Sequence, residues 1–369
     1  LVILFFAWLL LQAILLLSFG IVTTGEATKY FDECHLLLQQ GNFSENKYIF
    51  YSVYIFIHIV FYKLGFETIG VYMFQLLLNL LAAYFFHQLI VKITGKKIIA
   101  FIAVLLLFMT QTFQMWTVHL YTESVYSSLI IIFSYCFFTR ENKSTKQWIL
   151  TAFIFLLIIF ARPTGLLMIP VMMIYFFFRL LHQKKYVIAI SLTAIAAAAF
   201  YFLLDYAMHS SNSFDFLKPF AENEVLCYIP AENTAPLTTH TGSNSLQDII
   251  QYITHNPSQF LYLSWQKFIS YWGMQRYYDS PLHNLYFMLF FYPLYLLAVI
   301  GLVKIYKQQK SFCVFCIAMF FIFTLSVILT CDDWNNRFNI PVIPFVMLLA
   351  AIGIHYLYEL WNSRKIKII

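Results

Sequence analysis

Three side chains near the start of the chain have the types and the spacing needed for proton transfer. Glu26, Tyr30 and Glu33 share one face if a helix starts at this point. A carboxylate that is shielded by lipid and protein has a raised pKa, which brings it toward the range useful for taking a proton. Glu26 is therefore a candidate general base. Taken by itself, the residue is better explained as an acid that stabilises a helix dipole.

A second acid and two arginines are expected on the same side of the protein. Glu123 follows His-Leu-Tyr-Thr at the start of a predicted helix, Arg162 opens Arg-Pro-Thr-Gly, and Arg337 lies in Asp-Asp-Trp-Asn-Asn-Arg-Phe. The planar fork of donors makes arginine the preferred partner of phosphate. Two acids and two arginines therefore form a candidate site for a phosphate-bearing lipid. For Glu123 alone, the alternative is again an acid that stabilises a helix dipole.

Adjacent carboxylates and paired cysteines are the weaker candidates for chemistry. Asp332 and Asp333 could bind a divalent cation, because adjacent carboxylates suit hard metals, but solvated loop charges are the favoured interpretation. Such a cation is the one cofactor that the sequence suggests. The six cysteines are scattered without ligand spacing, and Cys313 and Cys316 fall inside an apolar helix, where a packing role is expected.

The elements that must position these residues are membrane-spanning helices. Of the 369 residues, 61% are hydrophobic and 11% are charged, a balance unlike that of a soluble domain. A helix needs roughly 20 apolar residues to cross the hydrocarbon core, and the first such stretch is too long for a signal peptide. The predicted fold is all-α and polytopic, with about ten spanning helices. They are 1–22, 69–91, 98–117, 120–139, 147–161, 164–181, 186–208, 284–303, 312–331 and 338–360.

Basic residues collect in alternate connections between these helices. The positive-inside rule makes those connections cytoplasmic. They hold 15 of the 23 lysines and arginines: Lys92, Lys96, Lys97, Arg140, Lys143, Lys146, Arg179, Lys184, Lys185, Lys304, Lys307, Lys310, Arg364, Lys365 and Lys367. Of the 17 acidic residues, only Glu141 and Glu359 fall on that side, so polar chemistry is expected on the outer side. The net charge of +6 thus indicates membrane orientation and argues against nucleic acid as a partner.

Two long outer segments are predicted to fold over the membrane. In the first, 23–67, the stretch from Tyr48 to Gly65 is apolar enough to span, but a span there would invert every later loop. We therefore predict that it lies in the outer interface. The second segment, 209–283, contains one stripe of a further interfacial helix, either a surface anchor or part of a substrate site. The stripe is formed by Leu261, Trp265, Phe268 and Trp272.

These segments divide the chain into three predicted parts. An N-terminal transmembrane module covers 1–208 and includes the first outer loop, a second outer loop covers 209–283, and a C-terminal transmembrane module covers 284–369. The membrane lipids are therefore expected partners. The bacterial inner membrane is the expected location, with the active site on its outer side.

Five short motifs follow one another along the chain and share the predicted outer side. They are Glu26-x-x-x-Tyr30, Leu36-Leu37-Leu38-Gln39-Gln40-Gly41, Thr122-Glu123-Ser124, Arg162-Pro163-Thr164-Gly165 and Asn336-Arg337-Phe338-Asn339-Ile340-Pro341-Val342-Ile343-Pro344. Together they resemble the GT-C class of membrane glycosyltransferases over most of the chain. The pattern is similar to protein O-mannosyltransferases, lipid A aminoarabinose transferases and bacterial relatives of the second GPI mannosyltransferase.

The resemblance implies an enzyme that takes a sugar from a polyprenyl-phosphate carrier. The acceptor is then a lipid, a glycan or a protein outside the cytoplasm. Glu26 matches the first-loop acid that serves as the base or orients the acceptor, Glu123 matches the second acid, and Arg337 falls near the lipid phosphate. The residues implied to bind substrate are Tyr30, Glu33, Arg162 and Arg337. The chain departs from the pattern at 48–52, where relatives carry a proline and a charged residue and this sequence reads Tyr-Ile-Phe-Tyr-Ser.

Two other classes of protein stay open at this point. A lipid-linked-sugar flippase or other transporter usually has ionisable groups near the midplane of its helices. The predicted helix cores of this chain are almost free of charge. A nonenzymatic membrane scaffold explains the hydrophobicity but not the acids and arginines of the outer side.

Overall fold

Helices form most of the structure. The computed structural model describes residues 1–139, 144–209, 218–230 and 246–366. Four 3₁₀ segments cover Asn46–Tyr51, Met115–Thr117, Pro163–Leu167 and Trp334–Asn339. Two short strands, β1 (Glu224–Leu226) and β2 (Ile229–Pro230), pair antiparallel. The α-helices are α1 (Val2–Phe19), α2 (Glu26–Gln40), α3 (Ser52–Lys63), α4 (Glu67–Thr94), α5 (Lys97–Met109), α6 (Gln111–Gln114), α7 (Thr122–Phe138), α8 (Thr145–Ala161), α9 (Met168–His182), α10 (Tyr186–His209), α11 (Lys218–Ala221), α12 (Leu246–His255), α13 (Pro257–Gly273), α14 (Pro281–Tyr306), α15 (Lys310–Leu329) and α16 (Ile343–Ile366).

Apolar helices of membrane-spanning length recur from end to end. In the described ranges seven helices are long and apolar enough to cross a membrane: Val2–Phe19, Glu67–Thr94, Pro163–His182, Tyr186–Leu203, Pro281–Tyr306, Lys310–Leu329 and Ile343–Ser363. The segments Lys97–Met109 and Gln111–Thr117 add an eighth if the two form one bent span. Helices α7 and α8 are apolar but shorter, at 17 residues each. The fold thus fits an all-α, multi-pass membrane protein, and the count of about ten spans stays a prediction.

Two predicted helix boundaries differ from the structure for local backbone reasons. The predicted helix 98–117 bends by 75° at Thr110, whose backbone is extended (φ −80°, ψ 94°). The predicted helix 338–360 begins later, at Ile343. Residues 338 and 339 end the 3₁₀ segment and residues 340–342 form a turn, so α-helical hydrogen bonding starts only after them. Earlier in the same segment, Asn335 and Asn336 lie in the left-handed region, with φ of 54° and 57°.

The two segments that the sequence predicts to be outer contain the helices predicted to lie in the interface. The stretch 48–65 folds as the end of a 3₁₀ segment followed by α3, which packs on α2, α4 and α8. The predicted stripe lies on α13, where Leu261 and Trp265 are 66% and 59% exposed. Exposed apolar side chains in this arrangement are typical of a helix that lies on a membrane. Arg140, Glu141, Lys143, Lys367 and the polar stretch around Pro236 lie outside the described residues.

Close backbone contact fixes α16 in the centre of the bundle. A Cβ atom on Gly301 of α14 would overlap the carbonyl oxygen of Leu349, and one on Gly353 of α16 would overlap that of Leu297. Small residues at such crossings let two membrane helices approach closely. Helix α16 also packs on α5, so the predicted N-terminal and C-terminal modules share one core.

Three predicted cytoplasmic segments meet at one end of this bundle. Lys96 pairs with Glu359, and its Nζ lies 2.9 Å from His355 Nε2. The side-chain amide of Gln309 donates a hydrogen bond of 3.3 Å to the carbonyl of Ile93. The connections after α4, after α14 and near the end of α16 are therefore neighbours, as an alternating topology predicts.

Candidate functional site

Arg337 joins the two acids that the sequence singles out. Its Nη2 lies 2.6 Å from Glu26 Oε2, and its Nε donates a 2.6 Å hydrogen bond to Glu123 Oε1. Arg162 Nη1 donates to the same oxygen of Glu123 at 2.9 Å. Glu26 and Arg337 are 311 positions apart in the chain, so only the fold brings them together. We refer to Glu26, Glu123, Arg162 and Arg337 as the charged cluster.

A tight turn sets the position of Glu26 at the start of α2. Gly25 has a φ of 68°, and a Cβ atom on it would lie 2.5 Å from the hydroxyl oxygen of Tyr121. That hydroxyl donates to the carbonyl of Thr24 at 3.0 Å and accepts from the backbone N–H of Glu26 at 3.2 Å. Glycine is required here both for its backbone conformation and for the space that Tyr121 occupies.

The Arg-Pro-Thr-Gly motif is a close-packed turn at the end of α8. The backbone N–H of Gly165 donates to the carbonyl of Arg162 at 2.8 Å, and a Cβ atom on Gly165 would overlap the carbonyl oxygen of Ile158. Tyr126 donates from its hydroxyl to the carbonyl of Thr164 at 3.0 Å. The turn aims the buried side chain of Arg162 at Glu123 on the neighbouring helix α7.

The segment that carries Arg337 is held against the end of α13. The side-chain amide of Asn336 donates to the carbonyl of Met274 at 2.9 Å, and the ring of Trp334 stacks on Tyr278 with centroids 5.0 Å apart. The guanidinium of Arg337 lies 5.4 Å from the ring centroid of Trp116 and 5.4 Å from that of Tyr121. Aromatic faces at this distance favour a cation.

The charge of Arg337 reverses the pKa shift that the sequence predicts for Glu26. Burial alone raises the pKa of this carboxyl, but the hydrogen bond and the positive charge of Arg337 outweigh burial and lower the pKa from 4.5 to about 2. The prediction of a raised pKa is therefore wrong for the protein without substrate. The prediction was based on the shielding of Glu26 alone, whereas the fold places Arg337 beside this carboxyl.

The cluster is open at two points. The side chain of Glu26 is 36% exposed, whereas that of Glu123 is fully buried. The second carboxylate oxygen of Glu123, Oε2, has no hydrogen-bond partner among the described residues. Buried acceptors are nearly always paired, so this oxygen and the exposed edge of Glu26 mark positions where a ligand or water can bind.

Tyr30 lies beside Glu26, together with a cation that the sequence reading did not single out. The hydroxyl of Tyr30 donates to Glu26 Oε2 at 3.4 Å. Lys29 Nζ lies 3.3 Å from the same oxygen and 4.9 Å from the ring centroid of Tyr51. The spacing of three residues between Glu26 and Lys29 was the available signal, since it places both on one side of a helix. Lys29 therefore supplies a positive charge next to Tyr51, in the stretch 48–52.

Glu33 has a partner outside the charged cluster. Its Oε2 accepts a hydrogen bond of 3.1 Å from the backbone N–H of Ser44, and its Oε1 accepts from the Ser44 hydroxyl. Ser44 lies in the loop after α2. The contacts of Glu33 therefore hold that loop, and a role in substrate binding stays a prediction.

The adjacent carboxylates Asp332 and Asp333 have different partners. Asp332 Oδ2 pairs with Arg276 Nη2 at 2.7 Å and accepts from the Ser270 hydroxyl at 2.8 Å. Asp333 accepts from the backbone N–H of Trp334 at 2.7 Å and lies 3.5 Å from Arg337 Nη1. Within the described ranges, no group of three or more acidic, histidine or cysteine side chains is placed to hold a metal ion. Arg276 was missed because nothing in its sequence neighbourhood indicates a buried partner.

A disulfide that the sequence reading missed fastens the outer loop to the Arg337 segment. Cys227 and Cys331 are bonded across 104 positions. Backbone hydrogen bonds of 2.9 Å join Cys227 to Asp332 and Asp332 to Val225 beside it. The available signal was the location of Cys227 in a predicted outer segment and of Cys331 at the predicted outer end of a spanning helix, since disulfides persist on the oxidising side of a membrane. Cys313 and Cys316 are free and buried in α15.

Comparison with protein family models, curated proteins and solved structures gave no match for this chain. The class of protein is therefore defined by fold and site alone. It is an all-α protein with apolar helices of membrane-spanning length. At one end of the bundle, two acids and two arginines form a largely buried cluster.

Proposed function

We propose that the protein is a glycosyltransferase that moves a sugar from a polyprenyl-phosphate-linked donor to a lipid, glycan or protein acceptor. The observation that carries this proposal is the bridge from Arg337 to Glu26 and Glu123, at 2.6 Å to each. The bridge places Glu26, a partly exposed carboxylate that can take a proton, in contact with Arg337 and close to Arg162. Both arginines can bind a phosphate.

The donor phosphate is expected to replace Glu26 at Arg337. The Glu26 side chain is 36% exposed, whereas the Glu123 carboxylate is buried between Arg337 and Arg162. The outer contact is the one that an incoming anion can displace without leaving a charge unpaired in the protein interior. Lys29, 3.3 Å from Glu26, adds a third cation to the same edge.

This exchange converts Glu26 from a weak base into a stronger one. Burial raises the pKa of Glu26, but Arg337, with smaller contributions from Lys29 and Arg162, holds it at about 2. A phosphate that neutralises Arg337 removes the main opposition to burial, so the pKa of Glu26 is expected to rise toward the range of a useful base. Donor binding and activation of the base are therefore coupled through Arg337.

The chemical step is an inverting displacement. An acceptor O–H or N–H gives its proton to Glu26, and the oxygen or nitrogen forms a bond to the anomeric carbon. The bond between that carbon and the phosphate oxygen breaks, and its electron pair leaves with the polyprenyl phosphate. Arg337 and Arg162 stabilise the added negative charge on the phosphate in a water-poor site. A phosphate with a second pKa near 6 leaves as an anion and needs no general acid.

Two features support an outer, oxidising location for this site. The disulfide between Cys227 and Cys331 fastens the segment just before Arg337, and disulfides are rare in the cytosol. The exposed apolar side chains of Leu261 and Trp265 lie on α13, which packs against that same segment. An extended apolar carrier lying in the outer leaflet would meet both.

The test is sugar transfer by the purified protein in lipid nanodiscs, with a panel of radiolabelled polyprenyl-phosphate sugars. Release of polyprenyl phosphate is expected from one donor, and Glu26→Gln is expected to reduce it by about 10² to 10⁴-fold while donor binding persists. Asp32→Asn is the matched control, because Asp32 is an exposed acid on the same helix α2. Full turnover in Glu26→Gln would reject the assignment of the base. Intact donor with every sugar, despite a folded protein, would reject the transferase in favour of a flippase or a scaffold.

A further inference from the structure

A cavity of about 490 Å³ opens between α2, α3 and the start of α4. Its volume lies within the usual range of small-molecule sites. It is lined by Thr23, Phe31, Cys34, His35, His58, Tyr62, Glu67 and Thr68. No residue of the charged cluster is among these lining residues of the described chain, so the cavity is distinct from the cluster.

The buried side chain of His58 reaches this cavity without a hydrogen-bond partner. Its residue is 2% exposed, and Nε2 has no partner among the described residues. The rings of Phe31 and Tyr54 pack edge-on against the imidazole, with centroids 4.6 and 4.8 Å away. A buried polar nitrogen left unpaired is costly, so a ligand or a water in the cavity is expected to pair with it.

The partner of His58 is expected to be uncharged. Burial lowers the pKa of His58 to about 4, so the imidazole is neutral at physiological pH and can donate or accept one hydrogen bond. None of the described residues that line the cavity is a lysine or an arginine, and Glu67 adds a negative charge at the rim. A phosphate or a carboxylate would therefore be repelled.

The remaining lining residues have the chemistry of a carbohydrate site. Phe31 and Tyr62 supply aromatic surfaces, and Tyr62 packs edge-on against His35 with centroids 4.8 Å apart. The apolar face of a sugar ring packs on such surfaces, and the hydroxyl of Tyr62 can hydrogen-bond at its edge. The hydroxyls of Thr23 and Thr68 and the carboxylate of Glu67 can pair with the hydroxyls around the ring.

One tyrosine connects this cavity with the charged cluster. The ring centroid of Tyr30 lies 6.4 Å from that of His58, and the hydroxyl of Tyr30 donates to Glu26 at 3.4 Å. Thr23 lines the cavity three residues before Glu26 in the chain. We propose that this cavity binds an uncharged sugar ring of the acceptor, with His58 at its floor and Phe31 and Tyr62 as its walls. The role of acceptor rests on the proposed function, whereas the binding of a sugar ring does not.

Binding of soluble methyl glycosides to the full chain in nanodiscs tests the assignment. Methyl mannoside, glucoside and galactoside are the probes, followed by saturation-transfer NMR and calorimetry. At least one is expected to bind wild type and Glu26→Gln equally, and His58→Leu and Tyr62→Ala are each expected to weaken it about tenfold or more. His58→Leu should keep or raise the unfolding temperature, because it removes an unpaired buried nitrogen. Tyr277→Ala is the matched control, since Tyr277 is 71% exposed and does not line the cavity.

The outcomes separate the cavity from the reaction. Glycoside binding that survives both cavity variants, or binding of tetramethylammonium or inorganic phosphate in its place, overturns the sugar site. Release of polyprenyl phosphate that depends on Glu26, without any glycoside binding, also overturns the sugar site but leaves the proposed transferase activity intact. If glycoside binding depends on His58 but no polyprenyl phosphate is released from any donor, the sugar site is supported and the transferase activity is rejected.

Discussion

The protein has two arginine–carboxylate centres that the same short segment, 332–337, helps to build, and they differ in how completely they are closed. In the first, Arg276 and Asp332 pair at 2.7 Å, with side chains 1% and 0% exposed. The guanidinium of Arg276 also donates to the hydroxyl and carbonyl of Ser270, although its Nε has no hydrogen-bond partner among the described residues. In the second, the charged cluster, one carboxylate is 36% exposed and another has an unpaired oxygen.

This difference indicates what each centre can do. A fully buried ion pair costs much to break and gives an incoming ligand no access. A cluster with an exposed carboxylate can exchange the partner of that carboxylate at low cost. The Arg276 centre is therefore expected to hold the Arg337 segment in place, and the charged cluster to bind substrate.

The largest expected effect comes from breaking the closed pair. Asp332→Ala leaves the charge of Arg276 buried without its carboxylate and should lower the free energy of unfolding by about 3 to 5 kcal/mol. Chemical denaturation in detergent measures the loss. The double variant Arg276→Met/Asp332→Leu should recover most of it, because both charges are then gone. In the open cluster, Glu26→Gln should cost about 1 kcal/mol or less. Similar losses at both centres would remove the distinction between them.

The disulfide next to the closed pair is expected to have an intermediate effect. Cys227→Ser/Cys331→Ser opens a loop of 104 residues and should lower the free energy of unfolding by about 2 to 4 kcal/mol. Reductant should reproduce this loss in wild type and have no effect on the double variant, which keeps the free thiols of Cys34, Cys313 and Cys316. Equal unfolding midpoints for oxidised and reduced wild type would show that the closed pair holds the segment alone.

The smallest expected effect is a pH dependence that distinguishes the open cluster. The pKa of Glu26 is about 2 in the folded protein and near 4.5 when unfolded, so its ion pair stabilises the fold above pH 4.5. That contribution is lost as the pH falls from 4.5 toward 2, because the unfolded chain takes up the proton first. Since Glu26 is more than a third exposed, the loss should be about 1 kcal/mol or less. Subtracting the acid unfolding curve of Glu26→Gln from that of wild type measures it. A difference of the opposite sign would mean that Arg337 does not hold Glu26.

The candidate residues were predictable from the sequence to different degrees. Glu26, Glu123, Arg162 and Arg337 were singled out by their residue types and by their expected common side, and the fold places all four in contact. Their pairings were not predictable, because an ion pair across 311 positions has no local signal. The pKa of Glu26 was mistaken for the same reason, and the unpaired nitrogen of His58 is likewise visible only once α2, α3 and α4 are packed.

The sequence by itself indicated a membrane environment for this protein and predicted the order of its helices. Runs of about 20 apolar residues predict helices in a membrane, and the basic residues between them predict which connections share a side, since both are local properties of the chain. Tertiary structure alone decided which acid meets which arginine, where Cys227 finds Cys331, and which carboxylates are closed or open. These contacts depend on helix crossings such as that of α14 and α16, where glycines let two backbones touch, and a crossing is set by the packing of residues far apart in the chain.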